Sequence, residues 1–367
     1  MRRNGFASGV FLAGRMISLS LGPGPGIRPE NGTARLEYRL GRRESRVSLI
    51  AGGRRWTASL PAEAMIRRSV SGFIRESSRR TGNLEALERA AGRIAEELIP
   101  FRRELTGRGI SRIIVASDGI IARLPFEALR FRENGRDGSW MVEHFAFSYA
   151  SSPPIRPLPE ERRNAPGDGL LAIGAGRPGL VRLAAVDSEI AGLTRRFGRA
   201  RRRLSSGGTA LEADFDRHRG GSFEVVHIAA HRRPGRRRDD SGSLALQPGG
   251  NEDGFLGPEE IREANLSAEL VVLSACRTAG ASADAPGLSR FFLEAGARSV
   301  VASLWPVADR PTADLMIRFY SRLKSGLGKS DALRAAKRDM IGRGWSHPFF
   351  WAGFVLQGEP NGTISFR

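Results

Sequence analysis

Residues 223–240 read FEVVHIAAHRRPGRRRDD and set His227 and His231, two of the five histidines, four residues apart ahead of a run of arginines. The only cysteine, Cys276, closes a second apolar run, AELVVLSAC. A thiol of ordinary pKa, ~8.5, is a modest nucleophile at neutral pH, and an imidazole that takes its proton makes it a strong one. His231 stands at or just past the end of its run and Cys276 at the same position of its own, so neighbouring strands would bring the two to one edge. That is the equipment of a cysteine peptidase.

Other chemistries fit the same residues less well. On a strand His227 and His231 share a face but lie ~13 Å apart at about 3.3 Å per residue, too far for one ion; on a helix they would meet. The β-branched run VVHI argues for the strand. No glutamate lies between them as in a zinc-peptidase helix, and paired-cysteine spacing is absent, so no metal and no cofactor is expected. There is no G-x-S-x-G elbow and no phosphate-binding G-x-x-x-x-G-K. His227, flanked by Val226 and Ile228, reads as a packed core histidine. Cys276 taken alone could be a small buried hydrophobe. The small-residue loop RTAGASADAPG that follows instead sets its sulfur at the mouth of the strand. Arg232, Arg233 and Arg236 to Arg238 read as a solvated loop, or as cations that would favour a thiolate.

These residues need a frame to hold them. Residues 1–32 end in GPGPGIRPENG and read as a linker or tail. From Thr33 two alternating runs and a short third one predict strands, and PAEAMIRRSVSGFIRES and NLEALERAAGRIAEELIPF carry apolar residues at helical spacing. SRIIVASDG predicts a buried strand ended by a turn. Five prolines in residues 151–169 mark a boundary, so the expected divisions are 33–155 and 156–367. After it strand and helix alternate: strands at LLAIGAG, RRRLSS, FEVVHIAA, AELVVLSAC, ARSVVASLW and WAGFVLQG, with helices between most of them. SGSLALQPGGNEDGFLGPEEI reads as a hairpin leading into a short helix. Such alternation predicts an α/β fold with a mostly parallel sheet covered by helices on both faces, where function collects at the carboxyl ends of strands.

A net charge of +19 and a pI near 11.4 would ordinarily suggest nucleic acid or an anionic membrane. The excess is arginine spread along the chain, with lysine only at 324, 329 and 337. No basic stripe interleaved with aromatics is visible, so nucleic acid is not the expected ligand. No segment approaches the ~20 apolar residues of a spanning helix, and Arg15 interrupts the apolar start, so no membrane span and no secretion signal is expected. One cysteine cannot form an internal disulfide, which leaves the cytoplasm as the expected compartment.

The chain resembles the CHAT peptidases, a caspase-like, separase-related family usually attached to tetratricopeptide repeats. The matching text is VVHIAAH, SGSLAL, DGFLGPEEI, AELVVLSACRTAG, GLSRFFLEAGARSVVASLWPVADRPTADLMIRFYSRL, ALRAAKRDM and HPFFWAGFVLQG, with VASDGIIARLPFEAL and LLAIGAG upstream. The resemblance covers about residue 33 to the end. It implies a caspase-like sheet preceded by a smaller, non-catalytic α/β half with an antiparallel hairpin. It also implies that His231 is the general base and Cys276 the nucleophile, with backbone N–H groups of Arg232 and Cys276 as the oxyanion hole. Arg232 stands where the family has glycine, so a side chain there is expected to restrict the backbone or crowd substrate. Repeats are absent, so the implied partners are a protein substrate and a separate sensor or repeat protein. Asp253, Asp284 and Asp309 are acidic candidates for the substrate pocket. The expected activity is that of a bacterial cysteine endopeptidase in regulated proteolysis. A weakened homologue acting as a scaffold and a basic nucleic-acid-binding protein are the rival expectations.

Overall fold

The computed structural model describes residues 9–12, 15–21, 32–117, 119–133, 136–150, 169–175, 186–195, 202–207, 212–237, 239–280 and 286–366. The chain forms two compact units, Met1–Ser152 and Pro153–Arg367.

In the first unit the alternating runs form β3 (Thr33–Arg39), β4 (Ser45–Ala51) and β5 (Arg54–Leu60), an antiparallel meander. Each alternates buried with half-buried or exposed residues, the pattern of a sheet with one face packed. That face is covered by α1 (Glu63–Ser77) and α2 (Leu84–Leu98), whose Ile66, Val70, Phe73, Leu87, Ala91, Ile94 and Leu98 recur at helical spacing and are buried. Asn83 starts α2 by accepting the N–H of Ala86 at 3.0 Å. A short α3 (Arg102–Thr106) leads to β6 (Arg112–Ala116). A two-stranded ribbon, β7 (Arg130–Glu133) with β8 (Arg136–Trp140), precedes β9 (Ala146–Ala150), and β6 pairs in parallel with both β3 and β9. The third strand, expected to be short, runs seven residues.

The expected tail contains structure. Gly9–Leu12 (β1) and Arg15–Leu21 (β2) form a hairpin, and β2 adds to the edge of β5. The glycines and prolines of residues 22–31 drew the boundary too late, because the two-residue period of MISLSL lies before them.

In the second unit the strand order is β18-β17-β16-β12-β10-β11, from β10 (Leu170–Ala175), β11 (Arg202–Gly207), β12 (Ser222–Ala229), β16 (Ser267–Ser274), β17 (Ser299–Ser303) and β18 (Phe354–Gly358). All neighbours are parallel except β17 with β18. β12 and β16 lie inside the order and are apolar on both faces, as central parallel strands must be. On one face Leu171, Ile173, Val226, Ile228, Val271, Leu273, Val300 and Ala302 pack with Ile261 of α6 (Pro258–Glu263) and Leu288, Phe291 and Phe292 of α7 (Leu288–Ala295). On the other, α4 (Val186–Thr194) packs against α8 (Asp309–Lys324), which packs against α9 (Lys329–Gly342). The expected mostly parallel sheet with helices on both faces is therefore present. The helix expected from Thr209 is one short turn, α5 (Glu212–Asp216).

Candidate active site

β12 and β16 lie side by side, with Ala229 paired to Ser274 in the last row. His231 and Cys276 each stand two residues beyond that row, at the carboxyl edge of the sheet. Neighbouring strands run about 4.8 Å apart, so equal offsets past a shared row leave both residues at the same edge of the sheet. Both are half-buried and Cys276 is a free thiol.

The turn carrying the thiol is fastened to the next strand. Ser303, the last residue of β17, donates its hydroxyl to the carbonyl of Ala275 at 2.5 Å, and its N–H donates to the hydroxyl of Thr278 at 3.1 Å. Thr278, fully buried, donates that hydroxyl to Ala275 O at 3.2 Å, and Ala279 N–H reaches Ser303 O at 2.9 Å. Gly287 closes over this turn: a Cβ there would fall 2.4 Å from Thr278 O, so only glycine allows the approach. Arg277, directly after the thiol, has φ of +55°, one of two left-handed non-glycine residues among those described.

His231 opens β13 (His231–Arg233), which pairs with β14 (Ser243–Ala245), which pairs with β15 (Phe255–Leu256). His231, Ala245 and Phe255 form one row across these three strands. The intervening loop is closed by Asp240, whose carboxylate accepts the N–H groups of Gly242 at 2.7 Å and Arg236 at 2.8 Å; these bonds hold its carboxyl below the usual range. Arg233 lays its guanidinium 4.3 Å over the ring of Phe255.

Arg232 does not strain the chain, because its φ lies outside the left-handed region. Its side chain turns along the hairpin and donates from Nη2 to Ser241 O at 2.5 Å, while its buried Nε has no partner among the described residues. Burial lowers its pKa and Arg277 lowers it further, against the pull of Asp240 and Cys276. The expected backbone restriction is therefore not what Arg232 does; what it adds is a desolvated guanidinium on the thiol's side of the edge.

Beneath the edge lies a polar cluster that the sequence does not announce. His227, inside β12 and fully buried, meets the hydroxyl of Tyr320 through Nδ1 at 2.9 Å and has Glu189 Oε1 3.3 Å from Nε2. Ser274 donates to Glu189 Oε2 at 3.1 Å. Burial, then Glu189, pushes the Tyr320 phenol well above its ordinary value. His227 is thus tied into the core by Tyr320 and Glu189. Its partners stand on α4 and α8, at separations no spacing rule connects.

Of the three acidic pocket candidates, only Asp253 has a described side chain. Asp253 is exposed in the hairpin between β14 and β15, where it accepts the N–H of Phe255 at 2.8 Å. Asp309 opens α8, and Asp284 lies outside the described residues.

Comparison with known proteins gives this geometry a context. The family model of the CHAT domain matches residues 88–359. Tetratricopeptide repeat protein 28 of Mus musculus is 40% identical over 109 residues, and its Homo sapiens counterpart 39% over 109 residues. Those matches cover 29% of this chain and only 4% of the relatives' length. The Saccharomyces cerevisiae separase–securin complex superposes with a TM-score of 0.58 at 12% identity, over 90% of this chain and 30% of that one. A likeness at that identity shows the fold, which is caspase-like.

Proposed function

We propose that this chain, which belongs to the CHAT domain family, is a cysteine endopeptidase that cleaves a partner protein through His231 and Cys276. The observation that carries the reading is the shared register: each residue stands two positions past the Ala229–Ser274 row. In the reaction His231 takes the thiol proton as Cys276 Sγ attacks a peptide carbonyl. The imidazolium then gives that proton to the leaving amine as the C–N bond breaks. Water, deprotonated by His231, hydrolyses the thioester and restores the thiol. The N–H groups of Cys276 and Arg232 are the oxyanion donors in this scheme, and losing one such donor costs about 100- to 1000-fold in rate. The fastened turn at 275–279 supports it, because a nucleophile held in place loses no freedom on reaching the transition state.

A second reading, a weakened homologue serving as a scaffold, draws support from Arg232, a desolvated arginine at the position where the family has glycine. In either reading the proposed partners are a protein substrate and a sensor or repeat-bearing protein of the kind the family resemblance implies. The cytoplasm suits a single thiol that asks for no oxidising compartment. Among the described residues no helix is long and apolar enough to cross a membrane.

One experiment separates the readings. New protein ends are identified in cells holding wild type or Cys276→Ala, and iodoacetamide labelling at neutral pH is timed for wild type and His231→Ala. The peptidase predicts ends lost with Cys276→Ala and fast labelling that slows in His231→Ala. Identical fragment sets, with labelling indifferent to His231, leave the scaffold.

A further inference from the structure

Away from the thiol, three glutamates converge where arginine-rich surroundings would be expected to supply cations. Glu212, at the start of α5, is 2% exposed. Its Oε2 accepts the N–H groups of Gly254 at 2.7 Å and Phe255 at 3.2 Å, while its Oε1 is buried without a hydrogen-bond partner. Glu252 sits in the turn of the hairpin, which Gly249 and Glu252 close with mutual backbone bonds of 3.3 and 3.2 Å. Glu260, on α6, uses Oε2 to accept the N–H of Gly257 at 2.5 Å. One carboxylate oxygen from each of the three lies within 4.8 Å of the others.

Among the described residues no ion pair neutralises them, and burial, with the neighbouring carboxylates, raises the pKa of the Glu212 carboxyl to about 7. The chain holds 58 lysines and arginines, yet none of the described ones forms an ion pair with Glu212, Glu252 or Glu260. The nearby basic residues are engaged elsewhere: Arg219 with Asp216 and Glu263, and Arg262 with Glu259 and Glu294. Three carboxylates this close repel one another, and a buried oxygen without a donor adds its desolvation cost. A cation between them removes both penalties at once.

We propose that Glu212, Glu252 and Glu260 form a binding site for one hard divalent cation of the calcium class. The donor set is all oxygen, which selects calcium, magnesium or manganese over zinc or copper. Oxygens coordinated at about 2.3–2.6 Å lie up to ~5 Å apart across a calcium ion, so the observed spread suits a single ion. Glu252 and Glu260 are half-exposed and leave an entry path with room for water ligands. The hairpin turn supplies Glu252 and α6 supplies Glu260, so the ion clamps the hairpin between α5 and α6. The consequence reaches further, because Phe255, held by Glu212, stands in the row Phe255–Ala245–His231. An occupied site therefore fixes the sheet on which His231 is mounted. The site stands on its own geometry, independent of whether the thiol cleaves peptides.

Calorimetric titration of the whole chelator-treated chain with calcium chloride, beside thermal unfolding, tests this. The expected result is saturable binding of one ion per chain and a Tm that rises with calcium. Glu252→Gln and Glu260→Gln, each on a half-exposed carboxylate, should leave the calcium-free Tm equal to or above that of wild type, because one repelling charge is gone, and weaken binding about tenfold or more, since affinity follows ligand charge. The proposal is overturned if calcium, magnesium and manganese all fail to bind below about 1 mM, the weak end of known calcium modules. It is equally overturned if both variants bind as wild type does.

Discussion

The two ends of β16 are built differently. Near its amino end Glu269 receives Lys329 Nζ at 2.8 Å on Oε1 and Arg298 Nε at 3.1 Å on Oε2, and the fully buried Lys329 also donates to Glu269 O at 3.2 Å. Every charge there has a counter-charge in contact. Past its carboxyl end stand Cys276, a desolvated Arg232 with an unpartnered Nε, and Arg277 in a left-handed conformation. One end is closed by ion pairs; the other keeps polar atoms unspent within a fastened turn. In a parallel sheet this division follows from topology: chain crossings return over the amino ends, and the loops leaving the carboxyl ends are free to hold reactive groups.

The largest test of this contrast is Lys329→Met. It leaves Glu269 part-buried with half its partners, and breaking a buried pair costs about 3 kcal/mol. The urea midpoint should fall accordingly, while the iodoacetamide labelling rate of Cys276, measured in the folded protein, stays at the wild-type value. A changed labelling rate would join the two ends into one system.

Thr278→Val sharpens the other side. The substitution keeps the volume and removes both hydrogen bonds of a fully buried hydroxyl, leaving Ser303 N–H without its acceptor, at a cost of about 1–3 kcal/mol. Unlike Lys329→Met it should also alter Cys276 labelling, because the turn carrying the thiol loses its fastening to β17. Stability loss without a change in labelling would show that the turn is held by other means.

The smallest effect lies near β18. His347 is buried, which lowers its pKa, and its Nδ1 accepts the N–H of Phe349 at 3.1 Å. The unfolded chain binds a proton at this imidazole below its ordinary value, about 6.5, whereas the folded chain resists it until a lower pH. This histidine therefore costs stability as pH falls from about 6.5 toward the lowered value and has no effect above. His347→Asn retains an acceptor for Phe349 N–H. Its urea midpoint should fall less than that of wild type when both are moved from neutral pH to about 5.5; parallel falls would remove His347 as the cause.

Much of the frame was legible because it rests on local rules. Alternation revealed β3 and β4, a β-branched run revealed β12, helical spacing revealed α1 and α2, and the apolar runs ending at His231 and Cys276 placed both at strand ends. What escaped depends on separation along the chain. Glu189, His227 and Tyr320 touch across three elements, and Glu212, Glu252 and Glu260 come from a short helix, a turn and another helix. No periodicity links such positions, and single glutamates among many carry no signal until the chain folds. The strand at Arg15–Leu21 escaped for another reason: punctuation by glycine and proline outweighed a weak two-residue period. Arginine excess misleads in a similar way, since residues such as Arg290, Arg298, Arg318 and Arg322 are engaged by carboxylates on the fold's own surface.

The left-handed backbone at Arg277 limits which sequences can carry this thiol. An L-residue there forfeits about 1–2 kcal/mol relative to the right-handed region, and branching at Cβ makes the forfeit worse. Position 277 can therefore drift among glycine, asparagine, aspartate and unbranched long chains, while valine, isoleucine and threonine would swing the preceding sulfur away from the histidine's strand. The freedom to vary the charge beside the nucleophile is thus retained where the freedom to vary its shape is not.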